Sequence, residues 1–230
     1  MARSVTISEA IFVRFQLTTY TQAWATARAY ARAIVTSPQV QFVAGMDAEV
    51  EWGSDPNHAA NTIAWLNAYM NGSNNCLPSA GGGACFYNFG DANCGLGSVN
   101  QSCGFNDWDK DDIWYLSAGA KRGTDASPFA AAVPLIYNTV GTNARQWQSV
   151  SLYGATTSGK RVVYFVGPMS GRGACDQTDP LPRSPGGSCD GTDNDSNTAY
   201  DQLYRALMLD TRTAQLIYWR TDIRYHMYVP

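Results

Sequence analysis

The sequence predicts an α/β fold with a parallel sheet, wound as a complete or partial (β/α) barrel of the TIM type with disulfide-bearing loops. Three observations lead there. Apolar segments of strand length alternate with segments of helical periodicity between residues 39 and 209, which implies right-handed crossovers between parallel strands. The segment QVQFVAGMDAEV at 39–50 is apolar on entry and acidic on exit, as suits a buried parallel strand whose last residues reach a polar surface. The helices are too short and the connections too irregular for a doubly wound nucleotide fold, while 230 residues with long cysteine loops fall short of the ~250 that a full barrel takes.

Taken in order, residues 5–15 are a weak candidate strand, and 21–35 predict an amphipathic helix stopped by Pro38. After the strand at 39–50, NTIAWLNAYM at 61–70 carries Ile63, Leu66 and Tyr69 at helical spacing. Residues 84–89 predict the next strand, leaving through Gly90 and Asp91. DIWYLSA at 112–118 and VPLIY at 133–137 repeat the strand pattern, and NARQWQSVSLY at 143–153 reads as the helix after the latter. KRVVYFV at 160–166 is the last clear strand, followed by a helix at 198–209 and a short strand or turn at 214–219. No linker or internal repeat divides residues 1–230, so a single domain is expected.

Composition excludes several classes. Sixteen basic and nineteen acidic residues give a net charge of -3 with no Lys/Arg cluster, so nothing marks a nucleic-acid partner. The 45% hydrophobic and 12% aromatic content is too rich for disorder, and no run approaches the ~20 apolar residues that membrane insertion takes. Cys76, Cys85, Cys94, Cys103, Cys175 and Cys189 all fall in Gly-, Asn-, Ser- and Pro-rich loops. With His58 and His226 the only histidines and no C-x-x-C spacing, disulfides are a better reading than zinc. Fifteen pairings exist, and loop closure favours near neighbours: Cys76 with Cys85, Cys94 with Cys103, Cys175 with Cys189. Disulfides point to a secreted or extracellular protein. Residues 1–17 nevertheless make a poor signal peptide, because Glu9 and Arg14 break the apolar stretch. The expectation is a chain that begins part-way through a longer protein and lacks the first barrel strands, its open edges covered by the missing N-terminal segment or a partner chain.

The sharpest constellation is Asp47-Ala48-Glu49 at the exit of the strand at 39–50. Alternation puts residues 47, 49 and 51 on one face, and in a barrel that face opens at the rim where catalytic residues sit. Two carboxylates two residues apart can hold unlike protonation states, the requirement for acid-assisted glycoside hydrolysis, with Glu49 expected to carry the raised pKa beside Asp47. VAGMDAEVEWG resembles the fourth-strand D-x-E of barrel lysozymes of the glycoside hydrolase 25 type. IYN, NARQW and VVYFVG resemble late strands and helices of secreted glycoside-hydrolase-like proteins, so the likeness in layout runs over 39–220. The resemblance implies Glu49 as proton donor and Asp47 as its electrostatic partner or the stabiliser of an intermediate, acting on bacterial cell-wall or other polysaccharide with no metal or cofactor. That family also uses acids from its first strands and near its end; no first strand is recognisable here, and Asp222 matches by position alone.

Other strand exits add Asp91, Ser117, Tyr137 and Asn138 to the same rim, and Trp52, Tyr87, Tyr115, Tyr137 and Trp219 offer aromatic faces on which sugars stack. Three look-alikes fail. GATTSGK at 154–160 has phosphate-loop spacing, but Arg161 stands where Ser or Thr should hold magnesium and the order is helix before strand. Asp193, Asp195, Asn197 and Asp201 mimic a calcium loop, yet Thr198 and Tyr204 replace its glycine and bidentate glutamate, so a helix N-cap cluster is the better reading. Two histidines and no G-x-S-x-G leave no nucleophilic triad. The expected function is therefore a secreted glycoside-hydrolase-like enzyme, and the rival is a non-catalytic carbohydrate-binding or surface-interaction module on a degenerate barrel.

Overall fold

The computed structural model describes residues 44–49, 57–71, 86–93, 96–97, 107–119, 130–173 and 193–223. Strand β1 (Ala44–Met46) pairs in parallel with β2 (Phe86–Asn88), and β2 pairs in parallel with β3 (Ala130–Ala132). Parallel bridges from Ala132 to Phe165 and from Leu135 to Met169 carry the ladder onward. Strand β4 (Met169–Ser170) then pairs in parallel with β5 (Thr221–Asp222). Backbone bonds join the pieces: Val166 N–H donates to Ala132 O at 3.0 Å, Ile136 N–H to Met169 O at 2.9 Å, and Ile223 N–H to Ser170 O at 2.8 Å. Each strand therefore neighbours the next one in sequence, with helices between, so the sheet winds in one direction.

Among the described residues four helices fill the crossovers, named in chain order. Helix α1 (His58–Asn71) starts where the Asp107 carboxylate accepts the amides of Ala59 at 2.6 Å and Ala60 at 3.0 Å, two donors that a helix start leaves unsatisfied. Helix α2 (Lys110–Trp114) is opened by an Asp109 capping box and runs into a π turn over Tyr115–Gly119. This corrects the strand expected at 112–118. The cap supplies a helix start just before the apolar run, and the run lies across the sheet rather than in it. Helix α3 (Thr142–Thr156) follows Gly141, whose φ of 75° is a left-handed conformation that glycine adopts without strain. Helix α4 (Ser196–Met208) is capped by the Asp195 side chain, which accepts from Thr198 N–H at 2.8 Å. Asn194 ties this start to the exit of β3, donating from Nδ2 to Ile136 O at 3.1 Å and Asn138 O at 2.8 Å.

The strand expected at 133–137 begins earlier, at Ala130, although its hydrogen bonds continue through Leu135 and Ile136. Residues 214–219 form no strand; the pairing starts at Thr221. The candidate strand at 5–15 and helix at 21–35 lie outside the described residues.

One face of the sheet makes the main core. Phe86, Ala130, Ala132, Val163, Phe165 and Ile217 pack with Trp65 and Leu66 of α1, Trp147 and Val150 of α3, and Leu203 and Leu207 of α4. Each large side chain so buried contributes roughly 1.5–3 kcal/mol. The opposite face carries Gly45, Tyr87 and Ala131, which are register partners, and the buried Val133 and Leu135. Tyr164, Leu216 and Tyr218 alternate with core residues and are 45%, 61% and 67% exposed, so this second face is open to solvent along the extended segments that lead into β4 and β5.

Candidate active site

Asp47, Ala48 and Glu49 leave β1 directly. Ala48 joins the core, while Asp47 and Glu49 on either side of it stay half-buried, as alternating extended backbone requires. The neighbouring exit holds this segment in place. Phe89 N–H donates to Met46 O at 2.8 Å, and the Phe89 ring lies where a Cβ on Gly45 would be. Gly90 sits so close to the Ala48 backbone that any side chain there would overlap the Ala48 carbonyl. Its own amide donates to Asn88 Oδ1 at 2.9 Å, and Asn88 Nδ2 donates to the buried Ser117 Oγ at 3.0 Å. Ser117 is thus a prop beneath β2 rather than a residue of the rim.

Burial pushes the Asp47 carboxyl up to about 6. Its Oδ1 is buried with no hydrogen-bond partner among the described residues, so the ionised form lacks both water and a compensating donor there. A raised carboxyl is expected at Glu49; the structure shows one at Asp47, the first acid past the strand. The Tyr87 phenol, on the same sheet face, is also pushed up, by burial and then by the nearby Tyr164 phenol. Tyr164 was not among the residues read from the sequence, although alternation in RVVYFV already sets it opposite Val163 and Phe165.

The remaining candidates divide. Asp91 lies half-buried just past β2, and Tyr137 past β3, its ring 3.5 Å from the position of a Cβ on Gly171. Asp222 ends β5 with its carboxylate engaged on both oxygens, by Ser170 Oγ at 2.8 Å and Gly173 N–H at 2.8 Å. Asp47, Glu49, Asp91, Tyr137 and Asp222 therefore all sit at or just past the C-terminal ends of parallel strands. Trp219 is 67% exposed and precedes β5. Tyr115 instead bonds α1, donating from its hydroxyl to Asn67 Oδ1 at 2.7 Å, and Asn138 Oδ1 accepts Thr142 N–H at 3.2 Å at the start of α3. Trp52 and the six cysteines lie outside the described residues.

Residues 154–160 run from the end of α3 into extended backbone, so no helix N-terminus faces an anion there. Among the described residues no group of three or more His, Cys, Asp or Glu side chains is placed to hold a metal, and no helix is long and apolar enough to cross a membrane. No protein-family model, no curated protein and no solved structure matches the chain.

Proposed function

We propose that the protein is a secreted glycoside-hydrolase-like enzyme of partial (β/α)-barrel form, cleaving polysaccharide such as peptidoglycan with Asp47 and Glu49. One observation carries the reading: a desolvated carboxyl, pushed up to about 6, stands at the C-terminal exit of a parallel strand with a second carboxyl two residues on. A carboxyl that keeps its proton into mildly acidic solution can give it to a glycosidic oxygen as the C–O bond breaks and the electron pair leaves with that oxygen. Water then adds to the anomeric carbon, and its proton returns to the carboxylate. Burial equips Asp47 to hold the proton, with Glu49 as the second carboxyl that faces the cationic transition state; the family resemblance assigns these roles the other way round.

A second reading has its own support. The exposed rings of Tyr164, Tyr218 and Trp219 suit sugar stacking whether or not chemistry follows, as in a non-catalytic glycan-binding module. Turnover of peptidoglycan and soluble oligosaccharides by wild type, Glu49→Gln and Asp47→Asn separates the two. The enzyme reading expects losses of roughly 100- to 10,000-fold in both variants with glycan binding retained. Wild-type protein that binds glycan and never cleaves it, with both variants binding equally, supports the module. Absence of both binding and cleavage sinks both readings.

A further inference from the structure

The joint between α1 and α2 contains a contact that only one protonation state of a histidine can make. Trp108 is 1% exposed, and its indole N–H donates to His58 Nδ1 at 2.9 Å. The two rings meet edge to face, with centroids 5.6 Å apart and planes at 78°. To accept that bond Nδ1 must be bare, so the imidazole is neutral with its proton on Nε2. Protonation would set an Nδ1–H against the indole N–H, two donors with nothing between them, and would strand a buried donor. Imidazoles protonate between about pH 5 and pH 8, so the contact is placed to respond to mild acid.

The segment that presents Trp108 is rich in carboxylates. The Asp107 carboxylate bonds the amides of Ala59 and Ala60, immediately after His58. Asp109, Asp111 and Asp112 follow on the same segment, with Lys110 the one cation among them and largely buried. Asp109 is fixed by its cap bonds to Asp111 N–H at 2.7 Å and Asp112 N–H at 3.0 Å, and Asp112 Oδ2 accepts Asp109 N–H at 3.0 Å. The Asp107 carboxylate thus holds the first turn of α1.

We propose that this joint is an acid-sensitive latch, in which protonated His58 releases the Trp108 indole and loosens the first turn of α1. The device lies outside the candidate active site and does not depend on the proposed chemistry. Asp112, pushed up to about 6 chiefly by burial, titrates in the same range and is the competing source of any acid response.

The test uses the full chain and follows the Trp108 indole N–H by NMR from about pH 7.5 to about pH 5, its signal identified by its loss in Trp108→Phe. Protection factors of the Ala59 and Ala60 amides, corrected for intrinsic exchange, are read alongside. In wild type and in Asp112→Asn, the indole signal should move with one titration, and amide protection should fall roughly two- to tenfold on the acid side. In His58→Gln, whose amide oxygen still accepts the indole bond without titrating, neither change should occur. A wild-type indole signal constant over the range overturns the latch, and so does an unchanged response in His58→Gln or its disappearance in Asp112→Asn. If His58→Gln fails to fold, wild type and Asp112→Asn still decide between the imidazole and the carboxylate.

Discussion

Replacing Asp47 by Asn should make the protein more stable at neutral pH and leave it little changed, or less stable, in acid. The sign follows from the burial of the carboxyl. Its pKa is raised from 3.8 in the free group to about 6 in the fold, so between those values the folded state binds more protons than the unfolded state. Stability contributed by this group is therefore present below about pH 4, declines as pH rises, and is fully lost above about pH 6. The full shift corresponds to about 3 kcal/mol at 1.36 kcal/mol per unit, and residual contact with solvent lowers the expectation to about 2 kcal/mol. Asn does not ionise, so the variant escapes that penalty. The assay is urea unfolding of wild type and Asp47→Asn at about pH 4 and about pH 7.5, read as the change in their stability difference between the two conditions. Effects independent of pH, such as an amide nitrogen placed where Oδ1 has no partner, cancel in that comparison, as does the titration of Asp112 common to both chains. A stability difference that stays constant across the range, or that moves against Asn at higher pH, would show that Asp47 is not desolvated in the way described. A gain in stability coupled to a loss of turnover is what a functional carboxyl held at a cost to the fold should produce.

Two further substitutions probe the frame around this acid. Gly90→Ala places a methyl into the Ala48 carbonyl, so it should cost about 1–3 kcal/mol or more and disturb the Asp47–Glu49 exit; unfolding at wild-type stability would contradict the close approach of the two backbones. Asp107→Ala removes the acceptor for the Ala59 and Ala60 amides and should cost about 0.5–2 kcal/mol, with loss of protection confined first to the start of α1; uniform loss along the helix would argue against a capping role.

What could be read in the sequence depended on whether a signal was local. β1 and β2 fall inside the segments expected from VAG and CFYNF, and α3 and α4 begin within two residues of their expected starts, because apolar periodicity and Gly141 or Asp195 mark them. The segment at 112–118 was misread because DIWYLSA is apolar at both strand and helix spacing. The deciding signal was Asp109 with Asp112 three residues on, a capping box written with two aspartates in place of the usual Ser or Thr and Glu. Strand β3 failed differently. Its three alanines have little strand preference of their own, and they pair because Asn88 O, on β2, and Tyr164 O, on an extended segment that meets β3 only through a bridge at Phe165 rather than as the strand expected at 160–166, accept the amides of Val133 and Ala132.

The site shows the same division. D-x-E at an apolar strand exit was legible, since alternation alone sends Ala48 to the core and keeps its two acidic neighbours out of it. How much water Asp47 loses was not legible, because that depends on segments remote in sequence. The Phe89 ring over Gly45 and Gly90 against Ala48 come from the exit of β2, forty and more residues away, and Asn88 is held in turn by Ser117 of the π turn. These contacts leave the backbone on both sides of Asp47 little room to relax, so its buried Oδ1 cannot readily swing out to water. The small residues at 45, 48 and 90 therefore matter to the electrostatics as much as the carboxyl does: a side chain at Gly90 would push the two exits apart, admit water and return Asp47 toward an ordinary carboxylate.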